Sequence, residues 1–387
     1  MKDVGNAFAD LRAREYPRER SGVYLNAASY GPLPLSACNA IHEFHLQRNQ
    51  AALKDPDLES PQHQARSLAA KLINAHSDEI ALVPNTNVGL NIAASAVWQK
   101  ARDRLVLIQD REFPANVYPW LSLREQGMRV QKIDVDDHGF PQEDRLLERI
   151  RSGDVGAVSL AFVQFSSGFR ANLKAIGEAC RESGAIFVVD AIQGVGVVPF
   201  DVQECHADFV ACGGQKWLCS PWGSGFVYVR REWTERFMLE YPGWLAYEAT
   251  QDFTQLTEYD TDLLDTAMRF EVGSIAVQDF VGMNASVGLL LELGVSEIWK
   301  YVRALQQPVL DWANRNGVEV SSAADEDRRS AILCIRPDGA DAAHTALMDA
   351  GIRCALREGA IRMSPHWYNT TDDVARLIEV LDKHQNR

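Results

Sequence analysis

Short runs of β-branched and apolar residues alternate with longer helical patterns through the middle of the sequence. The runs predicted as strands occupy residues 104–109, 129–133, 156–163, 185–190, 207–212 and 225–229, and helical patterns occupy 141–152 and 173–183. This alternation predicts βαβ units and a mostly parallel sheet with helices on both faces. Ligands of such sheets bind beyond the carboxyl ends of the strands, so the residues after each strand are the first candidates for a site.

The pattern changes near residue 256. A long helical stretch at 272–293 is followed by short strands at 331–335 and 361–364 and helices at 342–349 and 371–384, which predicts a second, smaller α+β domain. A length of 387 residues also exceeds what one compact core usually supports. We therefore expect an N-terminal segment (1–23) packed on the small domain, a large domain (24–254) and a small C-terminal domain (255–387).

Charge and composition restrict the partners. The formal net charge is −14, which argues against nucleic acid or an anionic membrane, because both need clustered Lys and Arg. The N-terminus lacks the apolar core of a signal peptide, and no window reaches the roughly 18 apolar residues of a membrane span. The seven cysteines include no C-x-x-C pair, so neither a disulfide framework nor a metal site is expected. These features predict a cytoplasmic protein with a small-molecule partner.

Two strands in the centre of the chain end in residues that can carry chemistry. One ends in Asp190, and Lys216 follows the end of the next strand, 26 residues further on (216 − 190). Alone, Asp190 could be a helix cap and Lys216 a solvated loop residue. Together they match pyridoxal-5′-phosphate (PLP), which needs an amine for a Schiff base with its aldehyde and an acid that keeps the ring nitrogen protonated.

Neighbouring residues fit the same cofactor. Gly213 and Gly214, just before the lysine, suit a tight turn or a close approach of the backbone to a ligand. Gln193 follows Asp190 by three residues, so its amide can reach the phenolic oxygen of the ring, although a glutamine on a helix surface would fit the sequence too.

Three segments here resemble one family. The D-x-x-Q of Asp190 and Gln193, the K-W-L from Lys216 and the P-x-G-x-G-F from Pro221 to Phe226 are similar to the central block of the class V aminotransferases, a group of fold-type I PLP enzymes. The group contains cysteine desulfurases, kynureninases, isopenicillin N epimerase-like proteins and C–S lyases. The resemblance runs from about Tyr24 to the C-terminus and implies the fold-type I architecture.

The resemblance also implies cofactor contacts outside the central block. Asn85, Thr86 and Asn87 begin a helical pattern, where free N–H groups and the helix dipole attract a phosphate, and they correspond to the family's phosphate cup. Asn85 or Thr86 could also serve as a plain helix cap. Phe113 resembles the kynureninase phenylalanine that stacks on the cofactor, and Gln215 stands directly before the lysine.

Further correspondences concern the substrate and the partner subunit. The stretch from Glu271 to Ser274 resembles the family's E-x-G-T, whose hydroxyl reaches the cofactor phosphate of the neighbouring subunit, so a homodimer with shared sites is implied. Arg362 corresponds to the arginine that binds the substrate α-carboxylate through a bidentate pair. Ala28 lies in the stretch that closes the substrate side of the pocket.

Three departures from members of the family bear on the reaction. Desulfurases carry a mobile cysteine between two C-terminal arginines, but Arg357 is separated from Arg362 only by Glu-Gly-Ala-Ile, and the nearest thiol, Cys354, is expected to be packed on a helix-to-strand turn. Gln215 replaces the histidine of desulfurases, and Gln193 differs from the histidine of kynureninases. Neither subgroup is matched in full.

The expected function is a PLP enzyme acting on a small amino acid. β-Elimination, transamination and epimerisation would all use the residues named above. Because Arg362 can bind a carboxylate and no persulfide cysteine is present, C–S lyase or another β-elimination ranks first, transamination second and epimerisation third. A non-catalytic binding or regulatory protein with this fold remains an alternative. A nicotinamide enzyme is disfavoured, because no G-x-G-x-x-G follows an early strand.

Overall fold

The computed structural model describes residues 8–17, 22–234, 240–257 and 259–385, and a seven-stranded sheet is its main feature. The strand order is β2-β8-β7-β6-β5-β3-β4. The strands of this sheet are β2 (Ile80–Leu82), β3 (Leu105–Gln109), β4 (Arg129–Ile133), β5 (Val155–Ala161), β6 (Ile186–Asp190), β7 (Phe209–Gly213) and β8 (Gly225–Val229).

The five strands from β7 to β4 run parallel, and only β8 and β2 are antiparallel to their neighbours. Strands β3, β6 and β7 are buried along their whole length, as expected for a parallel sheet covered on both faces. Alternate residues enter opposite cores: Leu107 packs in one and Val106 in the other. The predicted architecture of a mostly parallel sheet with helices on both faces is confirmed.

Helices of the two faces contribute to these two cores. Leu90 and Val97 of α4 lie in the core of one face, and Leu146 of α6 and Ile176 of α7 lie in the core of the other. The helices are α1 (Ala9–Glu15), α2 (Leu35–Asn49), α3 (Asp55–Ile73), α4 (Thr86–Ala101), α5 (Tyr118–Glu125), α6 (Glu143–Arg151), α7 (Leu173–Ser183), α8 (Val202–Cys205), α9 (Arg231–Thr234), α10 (Val277–Leu293), α11 (Val295–Arg315), α12 (Ala340–Asp349) and α13 (Thr371–Gln385).

A four-stranded antiparallel sheet with the order β12-β13-β10-β9 forms the smaller α+β unit. Its strands are β9 (Glu319–Val320), β10 (Leu333–Arg336), β12 (Ala355–Arg357) and β13 (Ala360–Met363). Helices α11, α12 and α13 pack together beside it. Strand β13 lies between β12 and β10, so Arg362 is on an inner strand.

The N-terminal part of the chain joins this unit. Strand β1 (Val23–Tyr24) pairs in parallel with β11 (Ile352–Arg353), and Asn26 bridges to Ser364. Phe8 of the first described segment stacks edge-on against Tyr301. The division into 1–23, 24–254 and 255–387 remains a prediction, and residues 1–7 and 18–21 of its first part lie outside the described residues.

Several predicted boundaries were wrong. The helix predicted at 272–293 begins only at Val277, because Gly273 has φ +101°, which a right-handed helix cannot contain. Cys354 lies between β11 and β12 rather than on a helix-to-strand turn, although it is buried as predicted. The short strands β2, β9 and β12 were missed, since two to three residues carry little periodic signal.

Within the described residues, no single helix is both long and apolar enough to cross a membrane. The pair α10 and α11 meets the length and composition criteria only when taken together, and it is bent by 78°.

Candidate active site

Asp190 and Lys216 lie at the same edge of the large sheet. Asp190 is the last residue of β6 and pairs with Ala211 of the parallel strand β7, which ends at Gly213, three residues before the lysine. Because the carboxyl ends of parallel strands meet at one edge, the two side chains reach the same space, as the sequence predicts.

Burial shifts the ionisation of both groups. Desolvation raises the pKa of Asp190 to about 6, against the opposing effects of a hydrogen bond from the Ile192 amide and the charge of Lys216. Desolvation likewise lowers the pKa of Lys216 to about 8, although the Asp190 carboxylate works against this shift. The unprotonated amine, which is the nucleophilic form, is therefore far more abundant at neutral pH than in an ordinary lysine.

Both groups have unused bonding capacity. Asp190 Oδ1 accepts from the Ile192 amide (3.1 Å), whereas Oδ2 accepts no hydrogen bond from the described residues. The Lys216 amine makes no hydrogen bond or ion pair with the described residues. Its Nζ lies over the ring of Phe113, 5.4 Å from the ring centre. A protonated ring nitrogen beside Asp190 and an aldehyde beside Lys216 would use these atoms, so the residues fit PLP.

The start of α4 forms the wall next to β7. The hydroxyl of Thr86 accepts from the Gly213 amide (2.9 Å). A Cβ on Gly213 would lie 2.6 Å from Oε1 of Gln215 and 3.1 Å from the Thr86 hydroxyl, so a larger residue would displace at least the Gln215 side chain. Thr86 and Gln215 thus both lie beside Gly213, three residues before Lys216.

The other two residues of the predicted phosphate cup hold the local backbone. Asn85 caps α4, since its side chain accepts from the Val88 amide (3.1 Å), and Asn87 donates to the carbonyl of Ala115 (3.1 Å). This geometry is compatible both with a helix cap and with a phosphate site. Asn85 accepts from the Val88 amide, and the other N–H groups of the first turn of α4 remain available to an anion.

Gln193 connects the cofactor edge to the N-terminal stretch. Its Nε2 donates to the carbonyl of Ala28 (3.0 Å), and its Oε1 accepts from the indole of Trp217 (3.0 Å). The side chain is 4% exposed, so it is not a helix-surface glutamine. One N–H remains for the predicted contact to the phenolic oxygen.

Phe113 stands over the lysine. Its ring is 45% exposed and meets the ring of Phe165 edge-on at 5.4 Å. An exposed phenylalanine next to a buried, unpaired amine presents a flat apolar face to a ring bound there, in agreement with the stacking role that the resemblance implies.

Arg362 is 2% exposed and points into the site from β13. Its Nη1 donates to the carbonyl of Phe165 (2.7 Å), and its Nη2 donates to the hydroxyl of Ser29 (3.0 Å). Burial lowers the pKa of Arg362 to about 10, so it stays charged at neutral pH. The other three of its five N–H donors make no hydrogen bond to the described residues and can bind a substrate carboxylate.

Ser274 is exposed and makes no hydrogen bond to the other predicted site residues within the described ranges. The loop before it is held by a buried ion pair, in which Arg66 binds Glu271 through both Nε and Nη2 at 2.8–3.0 Å. Glu271 also accepts from the Leu82 amide (2.9 Å), which ties this loop to the edge of the large sheet.

Sequence reasoning missed two residues at the site. Glu112 is buried, accepts from the Ala161 amide (2.7 Å), and has a pKa raised to about 8, mainly by desolvation. His366 accepts from the Trp367 amide and donates from Nε2 to the carbonyl of Trp217 (2.9 Å), so it links the Arg362 segment to the residue after the lysine. Glu112 directly precedes Phe113, and that adjacency was the available signal.

The fold and these residues define an enzyme of the PLP-dependent fold-type I class. A family model for class-V aminotransferases matches residues 23–377. The chain belongs to the class-V aminotransferase family, and this confirms PLP as its cofactor.

Curated relatives cover nearly the whole chain. A probable cysteine desulfurase from Methanothermobacter thermautotrophicus is 27% identical, and 97% of each chain is covered. An uncharacterized aminotransferase, YcbU, from Bacillus subtilis is 29% identical and covers 94% of this chain and 95% of its own.

Solved structures share the fold. The apo cysteine desulfurase from Thermococcus onnurineus superposes with a TM-score of 0.87 at 20% identity, and 98% of each chain is covered. A cystine C-S lyase, C-DES, in complex with cysteine persulfide superposes with a TM-score of 0.81 at 20% identity, covering 94% of this chain and 98% of its own.

Proposed function

We propose that the protein is a PLP-dependent C–S lyase that eliminates the sulfur substituent from cysteine derivatives. The observation that carries this proposal is the hairpin between Arg357 and Arg362. A two-residue turn, Glu358-Gly359, leads directly from β12 to β13, so this hairpin has no room for a thiol-bearing loop. Sulfur released at the site would pass to solution rather than to an enzyme thiol.

The cysteine nearest to this hairpin in the sequence does not replace such a thiol. Cys354 is 5% exposed, and burial raises its pKa to about 12. A sulfur acceptor needs an exposed thiolate of low pKa. Cleavage of a C–S bond is nevertheless supported by the relatives described as cysteine desulfurases and by the structural similarity to a cystine C-S lyase.

Each site residue has a distinct task in this reaction. Arg362 holds the substrate carboxylate, which orients Cα toward Lys216. The unprotonated Lys216 amine takes the proton from Cα. Asp190 accepts a hydrogen bond from the protonated ring nitrogen and keeps that proton in place. The bound cofactor supplies the electron sink that makes the Cα proton acidic.

A panel of amino acids tests the reaction. S-methyl-L-cysteine plus water should give pyruvate, ammonia and methanethiol, and L-cystine should give pyruvate, ammonia and a persulfide of cysteine. Keto acid retaining the sulfur would instead identify transamination, and inversion of configuration would identify epimerisation. Binding without any product would contradict an enzymatic role.

We also propose a cytoplasmic homodimer whose two sites are shared between subunits. The exposed Ser274 is available to a partner's cofactor. Large exposed apolar side chains near it support an interface, among them Tyr241 (74% exposed) and Val272 (62% exposed), which line a groove of about 520 Å³ against α4 and α5. All seven cysteines are free thiols, which fits a reducing compartment.

A further inference from the structure

A basic cavity of about 490 Å³ adjoins the active site, and we define it by Arg111, His138, Arg336 and Arg357. Phe165 is part of its wall. The Phe165 carbonyl also binds the guanidinium of Arg362, and its ring meets that of Phe113. The cavity therefore shares the Phe165 wall with the space at Arg362 and Phe113, and its volume is in the range of small-molecule sites.

Two of the four basic groups are not neutralised. Arg336 forms an ion pair with Glu319 (3.1 Å) and donates to the Glu358 carbonyl (3.2 Å). In contrast, Arg111 and Arg357 have no ion pair within the described part of the chain. The Arg357 guanidinium donates a hydrogen bond to the Leu356 carbonyl (2.8 Å).

Acidic groups around the basic cavity do not cancel this charge. Desolvation raises the pKa of Glu112 to about 8, so this carboxyl is mostly protonated at neutral pH. Glu358 also lines the basic cavity, but it is exposed and forms no ion pair with the described residues, and Asp137 lines an adjoining cavity. In a chain of net charge −14, a cavity with two unpaired arginines concentrates small anions locally.

The backbone fixes both arginines by unusual conformations. Arg111 itself has φ +56°, a left-handed conformation that non-glycine residues rarely adopt. Glu358 has φ +47° and Gly359 has φ +74°, as a two-residue hairpin turn of the primed type requires. This turn sets Arg357 at the last paired position of β12, opposite Ala360.

We propose that the basic cavity is a subsite for an anionic group at the far end of the substrate side chain, with Arg111 and Arg357 as its ligands. The preferred substrates are then cysteine derivatives whose sulfur substituent ends in a carboxylate. This inference rests on the proposed function, because Arg362 and Lys216 must hold the amino acid end. Arginine suits the task, since its planar fork pairs with carboxylate oxygens.

The test compares two nearly isosteric ligands of the cofactor-loaded protein. S-carboxymethyl-L-cysteine carries the anion, and S-carbamoylmethyl-L-cysteine is its neutral amide. Dissociation constants are taken from the change in cofactor absorption on rapid mixing. The acid should bind about 10- to 100-fold more tightly than the amide, as expected for charge-assisted hydrogen bonds. The double variant Arg111→Gln/Arg357→Gln should lose this preference, whereas Arg376→Gln, an exposed arginine on α13, should retain it.

The outcomes separate this inference from the proposed reaction. Equal affinities in the wild type, or a preference that survives the double variant, would overturn the subsite. Absence of pyruvate from both ligands would overturn the C–S lyase proposal but leave the affinity ratio interpretable. A preference for S-sulfo-L-cysteine as strong as that for the carboxylate would overturn the assignment to carboxylates in favour of anions in general.

Discussion

Replacement of Arg362 should weaken catalysis only for substrates that carry an α-carboxylate. The guanidinium is buried and spends two donors on the Phe165 carbonyl and the Ser29 hydroxyl, which leaves its remaining N–H groups for the substrate. Arg362→Ala removes these groups together with the charge. Arg362→Lys keeps the charge but not the planar fork.

The expected magnitude follows from the number of bonds lost. A hydrogen bond to a charged group contributes about 1.5–3 kcal/mol, so a bidentate pair contributes about 3–6 kcal/mol. The specificity constant kcat/KM should therefore fall about 10²- to 10⁴-fold in Arg362→Ala, and by less in Arg362→Lys.

The assay compares S-methyl-L-cysteine with its α-carboxamide, which lacks the negative charge. The wild type should prefer the acid by about the same factor, and Arg362→Ala should process acid and amide at similar rates. Arg353→Ala, at an exposed arginine of β11, is the matched control and should keep the preference. Equal losses for acid and amide would refute the reasoning, because they would indicate general damage to the site.

Three further predictions concern other residues. Asp190→Asn should keep some cofactor but lose activity by several orders of magnitude, since an amide cannot hold the ring nitrogen proton; near-normal turnover would contradict its role. Cys354→Ala should retain activity, and loss of activity with cofactor binding and melting temperature unchanged would point back to persulfide chemistry. Glu271→Gln should lower the free energy of unfolding in urea by about 3–5 kcal/mol, because it leaves Arg66 charged and buried. The double variant Arg66→Met/Glu271→Leu should recover part of the lost free energy of unfolding. If the effects of the two substitutions simply add, the two residues are not coupled.

The edge of the large sheet could be predicted because its determinants are local. A buried strand ending in Asp190, and small residues before Lys216, are visible in the sequence, and the parallel arrangement brings strand ends together. The same reasoning could not predict that Gln193 bridges Ala28 and Trp217. The Ala28 contact joins residues 165 positions apart, which no periodic pattern encodes.

The missed features are likewise tertiary. Arg66 and Glu271 are 205 positions apart, and although Glu271 begins the E-x-G-T-like stretch, nothing in the sequence identifies Arg66 as its partner. Apart from its position next to Phe113, Glu112 is distinguished only by its burial and by the nearby charge of Asp190. The start of α10 at Val277 was misplaced because the hydrophobic pattern extends over Gly273, whose positive φ is incompatible with a right-handed helix. Sequence thus predicted strand ends and missed long-range partners.

The identity of the lysine that binds the cofactor tests the central claim most directly. Borohydride reduction of the cofactor-loaded protein should fix the cofactor to one lysine, and peptide mapping then identifies it. The account predicts label on the peptide that contains Lys216 and none in Lys216→Ala, even if that variant retains cofactor through the phosphate. Label on any other lysine of the wild-type protein would contradict the account.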